Sequence, residues 1–455
     1  MLLTEQEIEI PAAARGRGLI QHFEQSVRKT IPAGQVPVRF VVTQSDARRY
    51  RCELGVLEGL EDFPDLMPES IFAFRPRAVV NAGRFNAVFM VPTGIGAEIG
   101  GHAGDAAPAA RMLASICDTF ITHPNVVNAS DINELPENAL YVEGSVVTRL
   151  LMGTVALQPV RSNRVMLLTD EHPDAYIAGS CINAASAARA ALGADVTRVV
   201  RMDPPVHMRA EYSSSGRAVG RVEELQRMCH VLARYRSEFD AVALATIVHT
   251  SKGTHEEYYN SGGEVVNPWG GVEAMLTHAI SMIFNVPSAH SPMMESLKLL
   301  HSHFGVVDPR MAAEEVSKCF LHCILKGLHR SPRLVTDEAA FAHPGVVSAA
   351  DVSCLVMPDG CLGLPTLAAL RQGIPVIAVR ENRNRMRNDL RALPFPPGGL
   401  FVVENYLEAA GVMAALKAGV AVPAVRRPLE PTKVSTDRAE QAAGAEAAKA
   451  AAQAE

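Results

Sequence analysis

The feature that most restricts the fold of this 455-residue chain is a repeated alternation: short runs rich in Val, Ile and Leu, followed by Ala-rich stretches of helical length. The runs are FNAVFMV (85–91), DTFIT (118–122), RVMLLT (164–169), VTRVVRM (196–202), DAVALATIV (240–248), VSCLVM (352–357) and PVIAV (375–379). Continuous apolar runs of this kind suit strands covered on both faces. Segments 106–116, 174–192, 217–237, 271–284, 309–328, 364–372 and 405–417 carry helical composition between and after them. Such alternation specifies parallel sheets with crossover helices rather than a sandwich or a bundle.

The first eighty residues differ, with a predicted helix over GLIQHFEQSVRKT and strand-like VPVRFVVT and YRCELGVLEG. The expected fold class is therefore α/β, with two Rossmann-like domains of mostly parallel sheet behind an α+β lead-in. Single cores stop growing near about 250–300 residues, so one domain is not expected to hold the whole chain. The division is 1–80 for the lead-in, 81–205 and 216–425 for the two domains, and 430–455 for a disordered or partly helical tail of Ala, Glu, Gln and Lys. The boundary falls in MDPPVHMRAEYSSSG (202–216), where Pro, Ser and Gly gather, and RSPRLVTDEAAFAHPG (330–345) is a second candidate.

A formal net charge of −6 argues against a general nucleic-acid partner, which calls for a basic face. The one arginine-dense stretch, RENRNRMRNDLR (380–391), reads as a solvated face. Eight cysteines are scattered through the chain without a CxxC pair, which suits reduced thiols and a cytoplasmic location. Cys319 and Cys323 read as thiols on one face of a helix. The opening MLLTEQEIEI places acids where a signal peptide carries basic residues, and no run of about 18 apolar residues suggests a membrane span. Homo-oligomerisation stays open.

Five of the predicted strands run into loops too polar or too glycine-rich for simple turns, and ligands of open α/β sheets bind at that carboxyl edge. After the first comes PTGIGAEIGGHAGD, where Gly94, Gly96, Gly100 and Gly101 could bring backbone donors to an anion, with a helix start at Asp105 and His102 and Asp105 as acid–base candidates. Its glycine spacing is not the dinucleotide fingerprint, so a nicotinamide cofactor is not expected, and no other cofactor is named. After the second, His123, Asn125, Asn128 and Glu134 form a cluster suited to a polyhydroxylated or amide-bearing ligand. DEHPDA supplies His172 beside carboxylates.

The loop HTSKGTHEEYYNSGGEVVNPWGG, with Ser251, Lys252, Thr254, His255, Gly270 and Gly271, reads as a binding loop or lid. Neither its His249 to His255 spacing nor HEE is a metal motif, and no metal site is expected. In MPDGCLGLP, the residues Asp359, Gly360, Cys361 and Gly363 stand between strand and helix, where a thiolate at Cys361 would be stabilised, although a structural free cysteine is the reading favoured over a nucleophile.

PTGIGAEIGGHAGD, THPNVVNASDINELPENALYVEGS, NPWGGVEAML and GIPVIAVREN resemble, over most of residues 80–405, a bacterial family best known from cyanobacteria and designated only as a domain of unknown function. GGHAGDAAPAARMLA and SAADVSCLVMPDGCLGLPTLAALRQGIPVIAVREN also look like the paired landmarks of two-domain glycosyltransferases and sugar-nucleotide epimerases. Two departures stand out: three extra residues lie between His102 and Pro108, and the helix after Gly363 lacks a ribose-binding glutamate. GCLGLP is similar to the Gly-Cys-x-x-x-Pro turn of the aspartate/glutamate racemase superfamily, whose second thiol would have to be Cys181, here inside a predicted helix.

The expectation is a small-molecule enzyme, a transferase or isomerase, binding an anionic or polyhydroxylated metabolite in an inter-domain cleft. The leading chemistry is glycosyl or nucleotide-sugar transfer or isomerisation. Alternatives are a cysteine-dependent racemase, isomerase or lyase, an amidohydrolase-type hydrolase, and a non-catalytic metabolite-binding protein.

Overall fold

The computed structural model describes residues 1–13, 18–61 and 63–436, so most of the expected tail (437–455) lies outside the described residues. All seven predicted core strands form, as Asn86–Phe89, Thr119–Thr122, Arg164–Asp170, Asp195–Met202, Ala241–His249, Val352–Pro358 and Val376–Val379. They divide between two sheets, and the chain is a mixed α/β fold.

One sheet has six strands, all parallel, in the order Leu400–Val403, Val376–Val379, Val352–Pro358, Asn86–Phe89, Thr119–Thr122, Ala139–Tyr141. Numbered along the chain this reads 6-5-4-1-2-3, so the winding direction reverses between Asn86–Phe89 and Val352–Pro358. The other sheet has ten strands. Four of them, Asp195–Met202, Arg164–Asp170, Ala241–His249 and Ser288–Met293, run parallel side by side. The sheet then continues as an antiparallel set of His207–Tyr212, Ala218–Glu223, Leu2–Pro11, Arg49–Glu58, Val36–Ser45 and the two-residue Leu362–Gly363.

Each sheet therefore takes strands from both 81–205 and 216–425, and the expected boundary at 203–216 does not separate them. The segment read as a linker is a hairpin, His207–Tyr212 with Ala218–Glu223, closed by a turn in which Gly216 N–H donates to the Ser213 carbonyl at 2.9 Å. The helix expected over 217–237 is accordingly shorter, Leu225–Arg234. Residues 220–223 alternate between buried and exposed in the sheet, Val222 inward and Arg221 and Glu223 outward, a two-residue period.

The helix expected over 309–328 breaks at 317–320, where the Ser317 carbonyl accepts from Ser130 Oγ and Lys318 Nζ turns to the Ser302 carbonyl. Cys319 is left exposed while Cys323 is buried, so the two thiols do not share a face. The opening residues form a ten-residue strand, Leu2–Pro11, paired throughout with Arg49–Glu58. The helices Leu19–Thr30, Ala175–Ala187, Gly270–Phe284, Leu364–Gln372 and Tyr406–Lys417 form where expected. No helix of the described residues is long and apolar enough to cross a membrane.

Helix Gly270–Phe284 lies on strand Ala218–Glu223 with almost no space between backbones: a Cβ at Gly271 would sit 2.1 Å from the Ala218 carbonyl oxygen, and one at Gly220 2.7 Å from Val272 Cβ. Gly271, expected to bind a ligand, is thus explained by packing. Gly271→Ala must push helix and strand apart, and we expect it to cost about 2 kcal/mol of unfolding free energy by chemical denaturation, the usual scale for overpacking. An unchanged midpoint would show that the helix can retreat freely.

Candidate functional site

Within the unit Met1–Ala414, a cavity of about 190 Å³ opens where the carboxyl ends of strands from both sheets meet. The six-stranded sheet supplies the connections after Asn86–Phe89, Thr119–Thr122 and Ala139–Tyr141, and the ten-stranded sheet those after Ala241–His249 and Ser288–Met293. Among the described residues, five imidazoles (His102, His123, His255, His278, His290) and four carboxyl groups (Glu143, Glu273, Glu295, Glu314) line the cavity, and no Lys or Arg does.

The glycine-rich connection forms one wall. Gly94, Gly96, Gly100 and Gly101 line the cavity, but close packing inside the protein accounts for their lack of a Cβ: at Gly101 it would lie 2.1 Å from the Ala97 carbonyl oxygen, and at Gly94 2.6 Å from that of Ala218. Asp105 does not cap the following helix, which starts at Ala107. Its Oδ1 instead accepts from Gly100 N–H at 2.9 Å and folds the loop on itself. Asn125 holds the same loop from the far side, its amide donating to the carbonyls of Val91 and Gly100 at 3.0 and 2.8 Å. Asn382, within the arginine-rich stretch, is fully buried and pairs with both the N–H and the carbonyl of Ile99, each at 2.8 Å. That stretch is therefore partly a loop anchor rather than a solvated face.

Behind this wall lies a buried polar chain. His102 Nδ1 and Tyr258 OH are 2.8 Å apart, and Tyr258 OH reaches Glu314 Oε1 at 3.3 Å. Ala103 N–H donates to the same carboxyl oxygen at 2.7 Å. Burial controls the protonation of all three groups. It holds His102 down at about 4, raises the Tyr258 hydroxyl well above its ordinary value, and pushes Glu314 up to about 7. Asp105 is likewise raised to about 7 by burial, although the N–H groups of Gly100 and His102 oppose the shift. Tyr258 packs edge-on against Trp269, which also meets the ring of His255 at 4.8 Å.

Two further histidine–carboxylate pairs face the cavity. His278 Nε2 lies 3.5 Å from Glu143 Oε1, while Glu143 Oε2 caps helix Gly144–Leu151 through Ser145 N–H at 2.8 Å. His290 Nδ1 lies 2.9 Å from Glu273 Oε2, and its Nε2 meets Thr246 Oγ1 at 2.8 Å. His123 accepts from Val91 N–H at Nε2, 3.1 Å away, so Nδ1 carries its proton, and burial holds it at about 4.

Of the other residues singled out in the sequence, Asn128 and Gly270 line the cavity. Glu134 instead faces Arg111 at 3.9 Å, Ser251 and Lys252 are exposed, and Thr254 caps locally on the Ser251 carbonyl. His172 accepts from Asp174 N–H at 2.9 Å and does not reach the cavity. Asp359 and Gly360 form their own turn at 2.9 Å, away from it. Cys361 and Gly363 border a separate, smaller hollow, and burial raises the Cys361 thiol far from the thiolate expected at a helix start. Glu314, Glu273, His278 and His290 were not foreseen; Glu273, His278 and His290 lie on a helix and a strand whose pattern reads as core, and Glu314 on the short polar helix Ala312–Val316. Among the described residues, no group of three or more His, Cys, Asp or Glu could hold a metal ion.

The raised Glu314 gives a pH test. Between its ordinary 4.5 and about 7, the folded protein keeps a proton that the unfolded chain has released, so this group withdraws stability as pH rises through that window. Gln has no such proton. Glu314→Gln should therefore gain unfolding free energy relative to the parent as pH rises from about 5 to about 8, by up to about 3 kcal/mol, read as a growing difference in melting temperature. A pH-independent difference would place the Glu314 carboxyl in an ordinary, solvated range.

The chain matches, over residues 86–426, the family model described as Protein of unknown function (DUF3326). It is 36% identical, over 350 residues, to a Synechococcus sp. protein named as an uncharacterized lipoprotein, an alignment covering 73% of this chain and 91% of that protein. No solved structure matches it. The family model spans most of the strands of both sheets and the whole cavity lining, and the chain belongs to the DUF3326 family.

Proposed function

We propose that the chain is an enzyme acting on a small polyhydroxylated metabolite, by the proton transfer that drives isomerisation or glycosyl and nucleotide-sugar transfer. The observation that carries this reading is the His102–Tyr258–Glu314 chain at the meeting point of two sets of strand ends. His102 stays neutral at neutral pH and is free to accept a proton at Nε2. Its Nδ1 proton then passes to the Tyr258 oxygen as the Tyr258 proton passes to Glu314, a carboxylate whose affinity for it is matched to neutral pH. His102 is the acid–base group, and Tyr258 and Glu314 take up and return its proton.

Of the two ligand classes expected, the lining favours the hydroxylated one. Four glutamates without a Lys or Arg accept hydroxyl protons and repel a bare anion. The 3-2-1-4-5-6 order of the six-stranded sheet supports reading it as a Rossmann-like unit, since ligands of such sheets sit where the winding reverses. The four parallel strands of the larger sheet, in the order 2-1-3-4, support a second unit with an antiparallel extension. A cytoplasmic protein without nucleic-acid or membrane partners remains part of the proposal, supported by net charge and by eight free cysteines.

The thiol-based alternative loses support because burial raises both Cys361 and Cys181, and Cys181 sits on helix Ala175–Ala187. Of the two histidines of a hydrolase built on the His249–His255 loop, His255 lines the cavity and His249 does not, since His249 is exposed and paired with Glu295.

Incubation with a cell-derived metabolite mixture, read by untargeted mass spectrometry, tests the proposal. The parent protein should consume a polyhydroxylated compound, and His102→Ala should slow this by about a hundredfold or more, the ordinary worth of a general acid–base. Turnover lost in Cys361→Ser but kept in His102→Ala moves the chemistry to the thiol. If nothing is consumed while some metabolite raises the melting temperature, the chain is a binding protein.

A further inference from the structure

The smaller hollow, about 100 Å³, shares Pro92, Thr93, Ile95, His123, Gly144, Ala274 and His278 with the main cavity, so the two are neighbouring chambers. Among the described residues no carboxylate lines the smaller chamber, while two guanidinium groups, Arg39 and Arg217, do; the carboxyl groups of Glu5 and Glu53 pair with Arg217 outside that lining.

Arg217 is fully buried and uses only one edge. Its Nη1 meets Glu5 Oε1 at 3.1 Å and also contacts Glu53, whereas Nε and Nη2 have no acceptor among the described residues. Nε and Nη2 together form the side of a guanidinium that grips two oxygens of one oxyanion. Buried donors left without an acceptor are costly and rare, so an open fork at this depth points to a ligand oxygen. Arg39 donates to the carbonyls of Thr93 and Gly271 at 3.0 and 3.4 Å, which fixes its head at the same chamber. The amino end of helix Leu364–Gln372 borders it through Gly363, with no side chain capping it. A water needs about 10–15 Å³ of such space, so the chamber has room for a group of several heavy atoms but not for a nucleotide.

We propose that this chamber is a phosphate subsite, and that the metabolite handled by the main cavity is therefore a phosphate ester of a polyhydroxylated compound, with its hydroxyls among the glutamates and histidines and its phosphate on Arg39 and Arg217. The substrate class rests on the function proposed above; the phosphate site does not.

Calorimetric titration of the full chain with inorganic phosphate, at constant ionic strength and with acetate as the comparison anion, tests it without requiring turnover. Phosphate should bind saturably and acetate should not displace it. Arg39→Gln should weaken binding by roughly tenfold or more, as loss of a charged hydrogen-bonding partner does. Because Arg39 also tethers two carbonyls, Thr148→Met serves as a second variant: Thr148 lines the chamber, and a longer side chain there narrows it while leaving both guanidinium groups in the sequence. Absence of saturable phosphate binding by the parent protein, or phosphate affinity unchanged in both variants, overturns the subsite. Turnover of an unphosphorylated polyol without phosphate binding would remove the subsite and keep the enzyme; phosphate binding without any turnover would keep the subsite and remove the enzyme.

Discussion

The architecture depends on one close approach of backbones at Ala218. Ala218 N–H donates to the Gly94 carbonyl at 2.9 Å, and its own carbonyl oxygen lies where a Cβ on either Gly94 or Gly271 would collide. Three elements meet at that peptide: the glycine-rich connection of the parallel six-stranded sheet, the hairpin strand of the larger sheet, and the start of helix Gly270–Phe284. Only residues without a Cβ permit it. The contact brings the carboxyl edges of the two sheets together, and the cavity is the space between them. The short pairing of Leu362–Gly363 with Val41 and Val42 ties the other end of the winding reversal to the larger sheet.

Charge is then sorted across this junction. Among the described residues, glutamates line only the larger of the two chambers, and the buried guanidinium groups of Arg39 and Arg217 line only the smaller one, where Glu5 and Glu53 pair with Arg217 from outside the lining. Burial does most of the tuning: the same exclusion of water that keeps His102 and His123 neutral raises Asp105 and Glu314 toward neutrality. Pairs of groups driven apart or together in this way are typical of sites that move protons. Burial also lowers Arg39 to about 10, and nearby Arg217 adds to that effect, while Glu5 and Glu53 oppose it. An added oxyanion would favour both charged guanidinium groups.

The parallel strands were legible because double burial leaves an unmistakable mark, a run such as DAVALATIV with no polar interruption. Of the antiparallel strands, Val36–Ser45 and Arg49–Glu58 were legible as VPVRFVVT and YRCELGVLEG, whereas Leu2–Pro11 and the hairpin His207–Tyr212 with Ala218–Glu223 were not. Leu2–Pro11 is written as LLTEQEIEIP, and its glutamates are spent partly on a buried partner, Arg217, that lies more than two hundred residues away. The loop after Asn86–Phe89, singled out in the sequence for anion binding, lines the cavity, yet its glycines are accounted for by the protein's own packing. His278 and Glu273 were hidden because the helix carrying them, GGVEAMLTHAISMIF, is apolar nearly all round, and only three dimensions reveal which turn meets an opening. Cys361 misled for a related reason: a thiol beside a helix start is activated only when water or a cation reaches it, and here burial prevails.

The most direct measurement is a crystal structure of the full chain grown in the presence of a cell-derived metabolite extract. The account predicts ligand density running from His102 and Glu314, past His123 and His278, to the guanidinium groups of Arg39 and Arg217, with a tetrahedral group at the arginine end. A ligand bound elsewhere, with only solvent between these residues, would contradict it.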